Sequence, residues 1–472
     1  MPTKDANADS TSVHRSQSQS ESDSRPAPVS ICSMPLEVLS NIFKLGKSSC
    51  EDELEDDEAW PDQNSLPFEI LVSHVNSHFR RTALSSSTLW SSIRITFVKS
   101  TSEVATYIER SGCCKLDVQL TLSHSSLEKT QELIELILPH SFRWRTFYYR
   151  SVCEAHKSGV LSCLADIAVP MLEVLSLSTD ETEEAGNPAA DDILQQTILI
   201  KGAPMLNFVR LRGFAIYSPL PPMTTVRILH LDQTKSVPLR NPTFRHVLSS
   251  PHNLEHLSIY GDMVADSTWP TVADIIHFPR LFSLRIYDVG GWAYTGLLLG
   301  FNAPSLKVLT LMGVQDQDLD RLWSIEDPSR FSSLQHLIFW DFDLLVSEWH
   351  HVFRLLCGIT NFSSYYRTNR STILHLLAEP GSIPLPWPHL ASLSIIFDAE
   401  EGEEEEILLR KVINARCACG HPLDVMRLGV NEGVVAFMGC SPIGSTRIEY
   451  FRSLDKWPLG RDFRDWDDNL FL

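Results

Sequence analysis

The clearest offer of chemistry lies near the C-terminus, where Cys417, Cys419 and His421 fall within five residues. Thiolates and an imidazole suit a tetrahedral zinc ion, but structural zinc takes four ligands, usually as two separated pairs. The next thiol is Cys440, alone. The incomplete set favours thiols packed in a core near a turn, so no metal is expected. A run at 51–58, Glu-Asp-Glu-Leu-Glu-Asp-Asp-Glu, offers oxygen ligands. A calcium loop alternates such ligands around a glycine, which this run lacks, so it reads as a solvated loop. There is no Gly-x-Ser-x-Gly elbow, no glycine-rich phosphate loop and no His-Glu-x-x-His. The seventeen histidines are scattered, and His230, His256 and His336 fall inside apolar units. No cofactor and no enzymatic activity are expected; binding is.

The bulk numbers narrow what is bound. A chain of 472 residues has room for one small domain and one extended one. Its net charge of −19 opposes contact with nucleic acid and with an anionic membrane, and leaves protein partners open. Ten cysteines without a spaced framework read as reduced, mostly buried thiols of a cytoplasmic or nuclear protein. Residues 1–30 are polar and are expected to be a disordered tail without a secretory signal. No stretch reaches the ~18–20 apolar residues of a membrane span.

A helix is predicted over 33–46, with Ser33 as N-cap, Pro35 in the first turn and Gly46 as its stop. Leu36, Leu39, Ile42 and Phe43 recur at helical spacing. Residues 47–64 form an acidic insertion. A second helical block covers 66–84, with Ile70, Leu71, His74, Val75 and Phe79 on its apolar face. Leu89, Trp90 and Ile93 start a short third element. Three short helices bury a small core and leave one side apolar, as a partner-binding module does.

The set Met34-Pro35-Leu36-Glu37-Val38-Leu39, Ile42-Phe43, Ser73 to Arg80 and Ala83-Leu84 resembles an F-box. The ending Leu89-Trp90-Ser-Ser-Ile93 resembles the close of F-box-like domains of basidiomycete fungi. The likeness spans 31–95. Asn76 and Phe79 stand where the family usually has Cys and Trp, and the insertion parts the first helix from the rest. The resemblance implies a substrate receptor of an SCF-type cullin–RING ubiquitin ligase. A SKP-family adaptor, and through it a cullin, would then be gripped by Met34, Pro35, Leu36, Leu39, Ile42, Phe43, Val75, Phe79 and Trp90. Leu39 and Phe79 suit the module's own core equally. The alternative is a stand-alone repeat scaffold with a decayed F-box and no ligase role.

Beyond residue 100 a unit Pro-x-Leu-x-x-Leu-x-Leu returns, starting at Pro170, Pro204, Pro279, Pro304 and Pro388. Related units begin at Val226, Leu254 and Leu334 without that proline. Only 27 residues are proline, so its return in five of eight units is not chance. The leading positions are 34, 20, 28, 27, 25, 28 and 56 residues apart, and the last gap hides a degenerate unit near Ile359 and Phe362. A period in the twenties with this core resembles leucine-rich repeats. The usual Asn or Cys after each strand is replaced by Gly213, Gly261, Asp288 and Gly313. Helical returns are expected at 274–277, 318–323 and 349–357. Acidic residues 399–406 read as a solvated helix start or, alternatively, a docking patch.

The expected class is α/β: a small N-terminal helical F-box-like module, then a leucine-rich-repeat-like solenoid with a curved parallel sheet. The array covers 96–440, and 441–472 form a terminal tail or cap. Positions between the inward leucines face the concave side of such a sheet. They include Arg210, Arg212, His230, Asp232, Tyr260, Arg285, Tyr287, Met312 and Trp340, the candidate surface for an unknown target protein. Cover by the chain's own C-terminal tail is the competing use of that face.

Overall fold

The proline that leads each unit sits at the second position of a four-residue turn. In the computed structural model, the N–H of Leu172 donates to Val169 O (3.1 Å), Leu206 to Ala203 O (3.1 Å) and Leu281 to Phe278 O (3.3 Å). Leu306 and Leu390 bond likewise to Ala303 O and Trp387 O. Such a turn fixes φ near −60° at its second residue and needs no N–H there, so proline fits without cost. Val226 and Leu334 close the same turn without it. The structure describes residues 31–53, 66–95, 100–122, 127–151, 154–179, 197–213, 220–232, 241–261, 263, 275–287, 292–324, 328–365, 370–379, 385–397, 402–430, 445–451 and 457. Residues 1–30 and most of the acidic insertion lie outside that set.

These turns lead into short strands, which belong to a set of sixteen among the described residues. In chain order these are β1 (Ser92–Ile95), β2 (Leu116–Leu122), β3 (Trp144–Ser151), β4 (Val174–Thr179), β5 (Phe208–Arg212) and β6 (Ile228–Asp232). Then come β7 (His256–Tyr260), β8 (Ile276–His277), β9 (Ser283–Tyr287), β10 (Phe301–Asn302) and β11 (Val308–Met312). The last are β12 (His336–Trp340), β13 (Asn361–Tyr365), β14 (Ser392–Phe397), β15 (Val425–Val430) and β16 (Arg447–Phe451). All but β8 and β10, which pair with each other, join one parallel 14-stranded sheet in sequence order. With eleven α-helices among the described residues, the chain is mixed α/β.

Neighbouring units are stitched by a repeated bifurcated bond. The carbonyl of Glu255 accepts from Phe282 and Ser283, that of Phe282 from Lys307 and Val308, and that of Lys307 from Gln335 and His336. At the other strand end, Gly261 N donates to Tyr287 O and Gly313 N to Trp340 O, at φ of +80° and +75°. Backbone bonds thus close the turns where a side-chain ladder was missing. The unit expected near Ile359 is β13, paired to β12 and β14.

Three helical expectations resolve differently. Residues 276–277 are strand, with Asp274 outside the described set; 320–324 form a 3-10 helix; 346–355 form an α-helix. The sheet also overruns the expected 96–440 at both ends, from Ser92 to Phe451. β1 falls before the expected start of the array and β16 after its end, and neither carries the Pro-x-Leu-x-x-Leu-x-Leu unit.

One sheet face carries the main core. Leu229 and Leu231, Leu257 and Ile259, Leu284 and Ile286 alternate along their strands and share that core with Phe244, Val247 and Leu248 of the helix Asn241–Ser249. Each fully buried side chain of this kind contributes about 1.5–3 kcal/mol.

The N-terminal helices are α1 (Leu36–Glu53), α2 (Phe68–Ser73) and α3 (Ser77–Ser85). Gly46 does not stop α1. A Cβ there would lie 2.7 Å from Phe68 Cζ, so its missing side chain admits the ring. The expected 66–84 helix splits at His74 and Val75, because Asn76 caps α3 by accepting from Phe79 N–H at 2.9 Å. Ser33 lies in a 3-10 turn ahead of Pro35.

The module is tied to the sheet through α4 (Thr101–Arg110). Tyr107 Oη donates to Glu69 Oε1 at 2.7 Å, and Lys47 Nζ lies 3.5 Å from Glu69 Oε2 while donating to Leu89 O. The pair is buried, so losing one partner leaves the other desolvated and uncompensated. Glu69→Ala should cost about 3 kcal/mol, read as a lower urea midpoint, with Glu69→Gln milder because it still accepts from Tyr107. At the sheet, Gly313→Ala meets both a positive φ and a Tyr287 ring carbon at 3.1 Å. A loss of about 1–2 kcal/mol is expected in the same assay.

Candidate protein-binding surfaces

On α1 two apolar stripes run side by side. Leu39 and Phe43, four residues apart, point inward and join Val72, Ala83, Leu89 and Trp90 in the core. Val38, Ile42 and Leu45 lie about 100° further round the helix and are exposed, Leu45 at 70%. Leu36 from the same helix, Leu71 and Val75 at α2, and Leu84 on α3 are exposed as well, Val75 at 61%. Beside them lies an open cleft of about 720 Å³ lined by His74, Asn76, Arg80, Arg81 and Leu84.

Of the nine residues expected to grip an adaptor, Leu36, Ile42 and Val75 are exposed apolar groups and Pro35 is exposed. Met34 is half-buried, its carbonyl 3.3 Å from His78 Nε2. Leu39, Phe43 and Trp90 are corrected to core. Phe43 packs edge-on to Phe68 and Phe79, and Trp90 Nε1 donates to Ala83 O at 2.8 Å. Phe79 is half-buried against Phe43.

The nine positions on the strands all fall on the sheet face opposite the main core. Arg210 and Arg212 alternate with Val209 and Leu211, His230 and Asp232 with Leu229 and Leu231, and Arg285 and Tyr287 with Leu284 and Ile286. Tyr260, Met312 and Trp340 follow the same rule on β7, β11 and β12. Register sets Arg212, Asp232, Tyr260, Tyr287, Met312, Trp340 and Tyr365 side by side in one row. Along it, the Tyr260 and Tyr287 rings stack at 4.4 Å, and Trp340 meets Tyr365 edge-on at 5.7 Å. Phe451, three strands beyond Tyr365, reaches it at 6.2 Å by lying over Gly429.

Arg210, His230, Asp232, Arg285 and Met312 are nonetheless buried, whereas Arg212, Tyr260, Tyr287 and Trp340 are half-buried. The cover at the centre is Trp457. Its indole N–H donates to Ser283 Oγ at 2.9 Å, its ring meets His230 at 4.8 Å and His256 at 6.0 Å, and the Arg285 guanidinium lies 4.6 Å above it. With Val174, Phe208 and Ile228 it forms a small cluster separate from the main core. Trp457 therefore occupies the middle of this face. Neither Trp457 nor its neighbours His256, Phe208 and Ser283 were among the expected site residues, and nothing periodic in the tail marks the tryptophan.

No family model matches the chain, and no curated protein matches it. The geometry alone therefore assigns its surfaces.

Beneath the indole the charges are arranged in pairs. Arg210 Nε donates to Asp232 Oδ2 at 2.7 Å with both side chains buried, and Arg285 Nε donates to Ser258 Oγ at 3.0 Å. Burial first, then Arg285, Arg210 and His256, hold His230 well below its ordinary range, so it is neutral.

The zinc candidates sit elsewhere. Helix Gly402–Ala418 turns Arg416 inward, where it donates to Pro386, Trp387 and Leu390 carbonyls, and burial lowers its pKa to about 10. Cys417 and Cys419 point outward, exposed rather than packed in a core. Cys440 lies outside the described residues, among which no cluster of His, Cys, Asp or Glu could hold a metal. Cys113 and Cys357 are exposed too, which corrects the expectation of mostly buried thiols. The acidic run at 399–406 leads into that same helix. Among the described residues no helix is long and apolar enough to cross a membrane.

His230 gives a pH dependence with a definite sign. Its folded pKa lies below the ordinary 6.5, so the unfolded chain binds the proton more readily. The stability it confers is full above about pH 6.5 and is lost as pH falls from there toward the folded value. Urea midpoints should fall more steeply between pH 7.5 and 5.5 for the native chain than for His230→Asn.

Proposed function

We propose that the chain is a non-enzymatic substrate receptor of F-box type. Its helical module docks a SKP-family adaptor of an SCF-type ubiquitin ligase, and the open sheet face holds a target protein. The observation that carries this reading is the exposed apolar set Leu36, Val38, Ile42, Leu45, Leu71, Val75 and Leu84, on helices whose core is already filled. A small helical module leaves such a patch in water only where a partner covers it. Catalysis is proximity: the receptor holds a target beside the ligase and makes or breaks no bond itself.

The sheet is read as a curved, leucine-rich-repeat-like solenoid. Its one-strand-per-unit order and its turn-and-ladder bonds support that reading. Tether length supports the curvature. Eight strand spacings separate β16 from β6, about 38 Å of arc. Six residues from Phe451 to Trp457 reach at most about 22 Å. An open face drawn inward would shorten that span and bring Trp457 onto His230.

Purified full-length chain, co-expressed with a SKP-family adaptor, should run as a one-to-one complex. Leu36→Asp with Val75→Asp should weaken it at least 100-fold and leave the thermal melt within about 1 kcal/mol of native, since both side chains are exposed. No complex from folded native protein would sink the ligase reading and leave a stand-alone repeat scaffold.

A further inference from the structure

The turns that follow β11 and β12 gather carboxylates with almost no cations among them. Residues 313–324 and 341–348 hold Asp316, Asp318, Asp320, Asp341, Asp343 and Glu348, with Arg321 the one Lys or Arg. The two turns touch: Asp343 N–H donates to Val314 O at 2.8 Å, and Gln317 N–H to Glu348 Oε1 at 3.0 Å. Asp316, Asp320 and Asp341 are exposed and Asp318 is half-buried. Among the described residues none of these four makes an ion pair. Burial first, and also the Asp316 charge, push the Asp318 and Glu348 carboxyls up, although each accepts a backbone N–H. The backbone holds the turns in place. Gln317 and Asp341 are kept at φ of +70° and +49°, and Asp341 N–H donates to Tyr365 O. Leu345 and Val346, which open the helix that Glu348 caps, are 54% and 49% exposed. Among the described residues no group of His, Cys, Asp and Glu could hold a metal, so a bound ion is not what answers this charge.

We propose that this rim is a docking surface for a basic segment of a partner protein, in which arginine or lysine alternates with aliphatic side chains. Charge complementarity selects that occupant. Like charges fixed close together oppose one another, and cations from a partner relieve them while steering its approach. The exposed aliphatic pair beside them adds area from which a partner's own aliphatic groups can exclude water. In a chain of net charge −19, acidity alone says little. This rim differs in that backbone bonds fix its carboxylates beside Leu345 and Val346. A second copy of the chain is opposed by the same net charge. The rim lies just past Met312 and Trp340 and so borders the open face. The inference does not depend on what that face or the helical module binds.

The test uses the full chain and a fluorescein-labelled peptide of alternating arginine and leucine, read by anisotropy. Native chain should bind it saturably. Asp316→Asn, Asp318→Asn, Asp320→Asn and Asp341→Asn together should weaken binding about tenfold, a difference that closes in roughly half-molar salt. Asparagine at 318 still accepts from Gln315 N–H, so the rim keeps its shape. Glu400→Gln, Glu401→Gln, Glu403→Gln and Glu404→Gln remove the same charge elsewhere and should leave affinity within about twofold of native. Leu345→Ser with Val346→Ser should weaken the arginine–leucine peptide but not an arginine–serine one. No binding by native chain overturns the proposal. So does an equal loss in the two charge-removal variants, which would make the attraction a property of net charge. An arginine–serine peptide bound as tightly as the arginine–leucine one overturns the aliphatic requirement. Should the rim variant fail to fold, Asp316→Asn alone takes its place and should weaken binding about twofold. Native affinity in that single variant overturns the proposal as well.

Discussion

A short parallel strand alternates its side chains between two faces, and here only one of those faces is covered by helices. From that constraint follows most of the molecule. Leu229, Leu231, Leu257 and Ile259 must go to the helix side, because a single unit cannot bury them without its neighbours. The positions between them, His230, Asp232, Ser258 and Tyr260, are then committed to the other side. The chain has no freedom to hide them without a one-residue slip, which would expose the whole apolar set. Whatever the open face does is therefore done by residues whose placement the core has already decided.

That face is richer in charge than a one-sided sheet needs to be. Arg210 and Asp232 are both buried, in a chain whose surface could accommodate either. A buried ion pair gains little net stability over a hydrophobic pair of similar volume, because each charge gives up its water. Its retention at the centre of the face is more easily understood as a fixed electrostatic floor than as a contribution to folding. The neighbouring His230 is kept neutral by burial and by the Arg285, Arg210 and His256 side chains around it.

How much of this was legible in the sequence depends on whether the signal was local. The Pro-x-Leu turns were, since a locked φ and an absent N–H suit one turn position and little else. The degenerate unit at β13 was legible from spacing alone, and the nine strand positions alternate with residues of the main core. Gly46 was not, because glycine serves equally as a helix stop and as a point of close approach, and only the Phe68 ring decides between them. On α1 nearly every second residue is apolar, so a rotation of one residue separates core Leu39 from exposed Val38, and no pattern within the helix fixes that phase. Trp457 was the least legible of all, because its partners are brought to it by the stacking of up to seven intervening strands of the sheet and not by anything near it in sequence.

The two surfaces differ in their chemistry. The module's patch is aliphatic, and the module is joined to α4 by the Tyr107–Glu69 bond and by Arg110 over the Trp90 ring. The open face is aromatic and cationic, and its centre lies under a side chain delivered from the far end of the sheet. Affinity for an aliphatic patch comes mostly from area and changes little with small chemical differences; affinity for a ringed, charged site depends on the identity of one or two side chains. A constant partner suits the first surface and a selected one suits the second. A rigid joint between them would fix the distance over which a held target is presented, which is the one quantity a receptor acting by proximity has to control.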